Sequence, residues 1–150
     1  MLEKLPPVKE GSALVAAVKA NDLDAVRTAL ESGEYPNQTQ KSNFTSFQYA
    51  CSFCSTEIVK VMLDAGGDVE KRETWLGRTP IMLATDGMNV DSVRLLIGAG
   101  ADLTAVTPKG TSVLEFAKHR LALTQSDEKL KGEVGSAMEI VEMLKSAGAK

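Results

Sequence analysis

The segment Gly77-Arg-Thr-Pro-Ile-Met-Leu-Ala84 and the run Val93-Arg-Leu-Leu-Ile-Gly-Ala-Gly-Ala-Asp102 set the pattern of the whole chain. In the first, a hydroxyl residue precedes a proline and an apolar run. This predicts a helix start, because the hydroxyl caps free backbone amides and proline suits the first turn. The second has apolar residues at helical spacing and ends at glycines, which favour a left-handed helix cap. The two segments therefore predict two short helices joined by a turn.

The same pattern recurs with spacings of 33, 34 and 33 residues. Four alanines align, and a valine follows each of the first three by nine residues: Ala17, Ala50, Ala84 and Ala117, with Val26, Val59 and Val93. A hydroxyl precedes each alanine by five residues, and a glycine ends each of the first three units: Ser12, Thr45, Thr79 and Ser112, with Gly33, Gly66 and Gly100. A period of this length indicates an all-α solenoid of stacked helix pairs.

The period also predicts the boundaries of the units. We predict an N-terminal tail over residues 1–9 and one repeat domain over residues 10–150. The four repeats are expected at about residues 10–40, 41–74, 75–107 and 108–150. Their second helices are expected, within two residues, at 22–31, 56–65, 89–99 and 136–147. The chain ends on the same Gly-Ala motif as the earlier units, which predicts a complete four-repeat protein.

The last unit is longer than the others. Val141 follows Ala117 by 24 residues where the other units have nine, so about 15 residues are inserted. Apolar residues continue at helical spacing past Ala117, which predicts a first helix running to about Thr124 and then a polar turn near residues 125–127. Ser136 followed by Glu139 has the spacing of a capping box and predicts the start of the next helix.

A hydroxyl-capped helix, a second helix and a Gly-Ala-Asp turn within 33 residues resemble the ankyrin repeat, most closely in residues 77–102. The resemblance covers about residues 10–150. It implies an ankyrin-repeat solenoid of four helix-turn-helix units with short hairpin turns. Met82 replaces the histidine that the family usually carries two residues after the proline. The overall plan is similar to myotrophin-like single-domain ankyrin proteins and to ankyrin-type cyclin-dependent-kinase inhibitors.

Composition excludes several functional classes. The 150 residues carry 17 basic and 20 acidic side chains, a net charge of −3, so no polybasic surface for nucleic acid or anionic membranes is expected. Apolar runs are too short to span a membrane. One histidine leaves few ligands for a metal, and we expect neither a metal nor a cofactor. Two cysteines without a signal-peptide core predict a reducing, cytoplasmic home, with the nucleus as a second possibility. We expect a monomer.

Cys51-Ser-Phe-Cys54 has the C-x-x-C spacing of thiol redox pairs and zinc half-sites. Redox pairs usually open a helix, where the dipole lowers the thiol pKa. This pair is predicted to close one, at the end that disfavours a thiolate. No second cysteine or histidine pair completes a zinc site. The sequence therefore favours structural cysteines over redox chemistry.

Three aromatic residues differ from the expected core positions. The family resemblance places Phe44, Phe53 and Trp75 along the concave recognition surface, where large rigid rings are candidate hot spots. The alternative is that Trp75 and Phe44 pack on each other and seal neighbouring hairpins. Phe116, by contrast, aligns with packed positions. The polar rim of the binding surface is predicted to consist of Lys41, Arg72, Arg78, Asp86 and Lys109.

These observations predict a protein–protein interaction module that binds another protein through the concave ankyrin surface, without catalysis. Two alternatives remain at this stage. One is a thiol redox protein that uses Cys51 and Cys54. The other is an ankyrin protein that inhibits a kinase.

Overall fold

The fold is built from short helices that form antiparallel pairs. A computed structural model describes residues 12–38 and 43–150 of the chain. Within them lie eight α-helices and one 3-10 helix: α1 Ala13–Lys19, α2 Leu23–Glu31, α3 Ser46–Phe53, α4 Thr56–Asp64, α5 Pro80–Asp86, α6 Val90–Gly98, α7 Val113–Ser126, the 3-10 helix Glu128–Glu133 and α8 Val134–Ser146. The predicted all-α class is confirmed.

The helix pairs stack in chain order. Each odd-numbered helix packs on the even-numbered helix that follows it. The first helices of successive pairs, α1, α3, α5 and α7, contact one another in series, and so do the second helices, α2, α4, α6 and α8. In the described part of the chain, each pair therefore packs mainly on its neighbours, as in a solenoid.

The repeated residues form the core of this stack. The four aligned alanines are at most 4% exposed, and the valines that follow them are buried as well. Because alanine adds only a methyl group, the two helices of a pair approach closely at this column. The apolar residues that recur along the sequence are thus the residues whose contacts hold the helix pairs together.

Hydroxyl side chains cap three of the four first helices as predicted, whereas the buried hydroxyl of Thr79, at the start of α5, has no hydrogen-bond partner among the described residues. The hydroxyls of Ser12, Thr45 and Ser112 accept hydrogen bonds from the backbone amides three residues later, at 3.1–3.3 Å. Pro80 occupies the first turn of α5. Gly100, which follows α6, has a φ of +83°, a left-handed conformation that a side chain would strain.

The insertion in the last unit lengthens its first helix. Helix α7 has 14 residues and ends at Ser126, close to the predicted end at Thr124, and Asp127 forms the polar turn. The predicted capping box at Ser136 is wrong. The 3-10 helix Glu128–Glu133 leads straight into α8, which begins at Val134, so Ser136 lies inside the first turn.

None of the helices in residues 12–38 and 43–150 combines the length and the apolar character that crossing a bilayer requires. The predicted tail, residues 1–9, and Lys41 of the predicted rim lie outside the described residues.

Candidate functional site

A buried carboxylate organises the hairpin that precedes α5. Glu73 is 2% exposed and accepts hydrogen bonds from the backbone amides of Trp75 at 2.6 Å, Leu76 at 3.0 Å and Arg78 at 3.1 Å. Its Oε1 also accepts from Arg78 Nε at 3.1 Å. The backbone of the hairpin tip, Thr74 to Gly77, is therefore fixed from inside.

Burial and hydrogen bonding act in opposite directions on Glu73. Burial raises the pKa of this carboxyl, because desolvation disfavours the charged form. Three backbone amides and the Arg78 guanidinium stabilise the carboxylate and outweigh that effect, so the pKa falls below its ordinary value. Glu73 is consequently ionised at neutral pH, and its charge serves the hairpin rather than a ligand.

Arg78 is not a rim residue, contrary to the sequence prediction. It is 8% exposed, and its guanidinium bridges Glu73 and Asp86 Oδ2, both at 3.1 Å. Glu73, the partner of Arg78, lies five residues earlier in an irregular segment. This spacing does not follow a helix or strand period, so the sequence did not indicate that Arg78 is buried. Asp86 keeps 42% of its side chain exposed, at the end of α5, while one of its oxygens holds Arg78.

Trp75 projects into solvent from this fixed hairpin. It is 68% exposed, whereas Phe44 on the neighbouring hairpin is half-buried. Hydrogen bonds join this hairpin to Asn43, next to Phe44: the Thr74 amide donates to the Asn43 carbonyl at 3.2 Å, and the Thr74 hydroxyl donates to Asn43 Oδ1 at 3.1 Å. The tryptophan exposure expected for a binding residue is present, and its role in binding stays a prediction.

Phe53 belongs to a different part of the same face. It lies at the end of α3, which begins at Ser46, about 10 Å along the helix axis from the Phe44 end. Phe53 is 64% exposed, and its ring lies 4.8 Å from that of Tyr49, tilted by 49°. The three aromatic residues predicted as one patch are thus divided between the hairpin side and the far end of the first helices.

The structure groups Trp75 with Lys109, which the sequence predicted as a rim residue, and with Leu76, Pro108 and Phe116, which it did not assign to the binding surface. Trp75 and Leu76 line one side of a cleft, and Pro108, Lys109 and Phe116 line the other; the remaining lining residues are threonines and a glycine. The cleft has a volume of about 410 Å³. Phe116, expected to be packed, is only half-buried, because its ring reaches this cleft at the first turns of α7.

The two hairpins that form the cleft are held against each other. Arg72 Nη1 donates to the Gly77 carbonyl at 2.9 Å and also to the Val106 carbonyl, so one guanidinium connects both. Gly77 has a φ of +69°, and a Cβ there would lie 2.6 Å from Pro108 Cδ. Arg72, predicted as a rim residue, is exposed but mainly joins the hairpins, whereas Lys109 is exposed at the cleft itself.

Cys51 and Cys54 form no disulfide and are both buried. Burial and the neighbouring Cys54 raise the pKa of Cys51 far above its ordinary value, and burial raises that of Cys54 to about 11. Cys54 Sγ also donates to the Val18 carbonyl at 3.2 Å, which links the first two helix pairs. Such thiols are poor nucleophiles at neutral pH, which disfavours the redox alternative.

Thiol labelling checks this assignment. At pH 8 we expect both cysteines of the native protein to react with a disulfide reagent about 100-fold or more slowly than in denaturant, because little thiolate forms and the sulfur atoms are inaccessible. The unfolded chain is the internal control for reagent quality. Native labelling at the rate of a free thiol would instead restore the redox hypothesis.

Comparisons with known proteins agree with this architecture. The family model described as ankyrin repeats (3 copies) matches residues 13–107. The chain is 30% identical over 108 residues to ankyrin repeat protein FPV031 of fowlpox virus (strain NVSL), covering 71% of this chain and 32% of that protein. It is 27% identical over 105 residues to ankyrin repeat protein L371 of Acanthamoeba polyphaga mimivirus, covering 70% and 14%.

A third relative is named as an enzyme. The glycerophosphocholine phosphodiesterase gde1 of Schizosaccharomyces pombe is 30% identical over 122 residues, which are 81% of this chain and 11% of that protein. The chain thus spans about a third or less of the length of these three relatives. Ankyrin repeats are generally protein–protein interaction modules, and proteins of the family are typically non-enzymatic. With serially stacked helix pairs and a family match over residues 13–107, the chain belongs to the ankyrin-repeat family.

Proposed function

We propose that this protein is an interaction module that binds another protein through the face formed by its first helices and hairpin tips. The observation that carries the proposal is the 68% exposure of Trp75 on a hairpin whose backbone is fixed by Glu73. A large exposed aromatic ring on a rigid support releases much water on binding and loses little conformational entropy. Trp75 is therefore the proposed anchor of the interface.

The other predicted residues take different places in this proposal. Lys109 and Leu76 flank the anchor, and Phe53 with Tyr49 offers a second apolar contact farther along the face. Asp86, at the end of α5, is a partly exposed acidic group that also pairs with Arg78. Arg72 joins the two hairpins and the buried Arg78 supports one of them, so neither is assigned a contact with the partner.

We further propose that the chain has no catalytic activity of its own. Burial of both thiols, with the raised pKa values that follow from it, disfavours the nucleophile that the sequence offered. Similarity to the phosphodiesterase covers 11% of that enzyme, which is a weak basis for transferring its activity. Two reduced, buried thiols suit a reducing compartment, so a cytoplasmic or nuclear location is part of the proposal, as is a monomeric state.

Substitution of the anchor tests the proposal. We expect Trp75→Ala to leave the free energy of unfolding within about 0.5 kcal/mol of the wild type, because the ring is mostly in solvent. The same change should weaken partner binding by about 2 kcal/mol or more, the usual hot-spot threshold. Immobilised wild-type protein first captures partners from native lysate; a captured protein is then titrated against each variant.

Met138→Ala is the matched control, because Met138 is 52% exposed but lies on α8, a second helix. It should bind the captured partner like the wild type. Equal binding by wild type and Trp75→Ala would place the interface elsewhere. The identity of the captured protein also decides whether the narrower kinase-inhibitory role applies.

A further inference from the structure

The cleft between the hairpins has a preformed shape. Its two sides are held together by the Arg72 guanidinium, which donates to the carbonyls of Gly77 and Val106. The backbone that carries Trp75 and Leu76 is fixed by Glu73. Because these contacts exist without a ligand, binding does not require the entropy loss of ordering the cleft.

The apolar lining suits one or two side chains of a partner. Trp75 and Leu76 are 68% and 39% exposed, and Pro108 and Phe116 face them across the opening. A volume of about 410 Å³ lies near the lower end of the range for ligand pockets. This size fits a short segment with a large apolar side chain better than the flat surface of a folded domain.

Among the described residues, the lining of the cleft contains a basic side chain and no acidic one, although the whole chain carries a net charge of −3. Lys109 is the charged residue of the lining, and it makes no ion pair with the described residues 12–38 and 43–150. In the adjoining segments, Glu73 forms an ion pair with Arg78, and Glu115 accepts a hydrogen bond from the Ser112 amide at 2.7 Å. The cleft thus offers an unpaired cation beside an apolar surface.

We propose that the cleft between Trp75 and Phe116 binds a short segment of a partner protein in which a large apolar side chain lies next to a carboxylate. The apolar side chain packs between the indole and the Phe116 ring, and the carboxylate pairs with Lys109. This inference rests on the proposed interaction function and names the chemistry that the partner must have.

Selection of peptides against the full chain tests the inference without a known partner. Random short peptides displayed on phage are selected on the immobilised protein, and the enriched peptides are synthesised. We expect enrichment of a large apolar residue beside Asp or Glu. Trp75 is the single tryptophan of the chain, so binding of a tryptophan-free peptide should change its emission spectrum directly.

Charge reversal separates the cleft from the rest of the surface. Lys109→Glu should weaken binding of the selected peptide by about tenfold or more, and a peptide with lysine in place of its carboxylate should recover affinity for this variant. Lys60→Glu is the control, because Lys60 is exposed on α4, a second helix. Trp75→Ala should weaken binding by about 30-fold.

The results test the inference about the cleft separately from the proposed interaction function. Enriched peptides without carboxylates, or affinities that Lys109→Glu leaves unchanged, overturn the inference. If the selection enriches no peptide, the inference that the cleft recognises a short segment is overturned. In each of these cases the lysate capture with Trp75→Ala still decides the interaction function separately, because that assay places no requirement on the chemistry of the partner.

Discussion

Glu73→Gln is expected to lower the free energy of unfolding by about 3 kcal/mol at pH 7, which is the scale of breaking a buried ion pair. Glutamine keeps the shape but removes the charge that receives three backbone amides and the Arg78 guanidinium. Asp86 remains as a partner for Arg78 and limits the loss. Chemical denaturation measures the effect, and Glu31→Gln, an exposed glutamate at the end of α2, should stay within about 0.5 kcal/mol.

The same substitution changes the dependence of stability on pH. The folded state lowers the pKa of Glu73 below its ordinary value, so the carboxylate stabilises the fold above the unfolded pKa of about 4.3. That contribution is lost as the pH falls through the lower, folded pKa. The wild type should therefore lose more stability than Glu73→Gln between neutral pH and the acid range below 4.3. Parallel acid curves would show that Glu73 is not held as a carboxylate.

Removal of the last helix pair by truncation at Gly100 should abolish cooperative folding. Helices α5 and α6 pack on α7 and α8, which contribute buried residues such as Leu114, Ile140 and Leu144. Each large apolar side chain is worth about 1.5–3 kcal/mol, so losing this interface approaches the whole stability of a small domain. We expect aggregation or a large loss of helicity, measured by circular dichroism and size-exclusion chromatography.

Deletion of residues 1–9, the predicted tail, is the matched control and should leave the helical signal intact. The polar outer side of α8 supports the closing role of this pair, because Lys145 stands where the earlier units carry apolar residues. The equivalent positions are Leu30, Leu63 and Ile97. A soluble fragment of residues 1–100 with full helicity would show that the stack needs no such closure.

The sequence predicted the features that depend on local periodicity. The alanine and valine columns identified the helix pairs, and the predicted bounds of the second helices agree with the structure within two residues. The extension of α7 was visible because Leu121 continues the apolar face of Leu114 and Ala117. The capping box predicted at Ser136 is absent, because the 3-10 helix runs directly into α8 and leaves no free helix start there.

The candidate site was less predictable because its contacts join residues from different repeats. Nothing in the spacing of Glu73 and Arg78 indicated that their charges neutralise each other in the interior. The pairing of Trp75 with Phe116 and Pro108 depends on how one hairpin lies against the next, which a single period does not encode. The role of Arg72 was missed for the same reason, because its acceptors include a carbonyl 34 residues away.

The contact between Gly77 and Pro108 sets how closely the two hairpins approach each other at the cleft. With no side chain at Gly77, the proline ring of the next hairpin reaches to within 2.6 Å of the place where a methyl group would stand. The distance between these two hairpin tips therefore depends on the absence of a Cβ atom at Gly77. Any other residue at Gly77 would have to push the two hairpins apart and adopt a strained left-handed backbone, so the width of the opening is tied to glycine at this position.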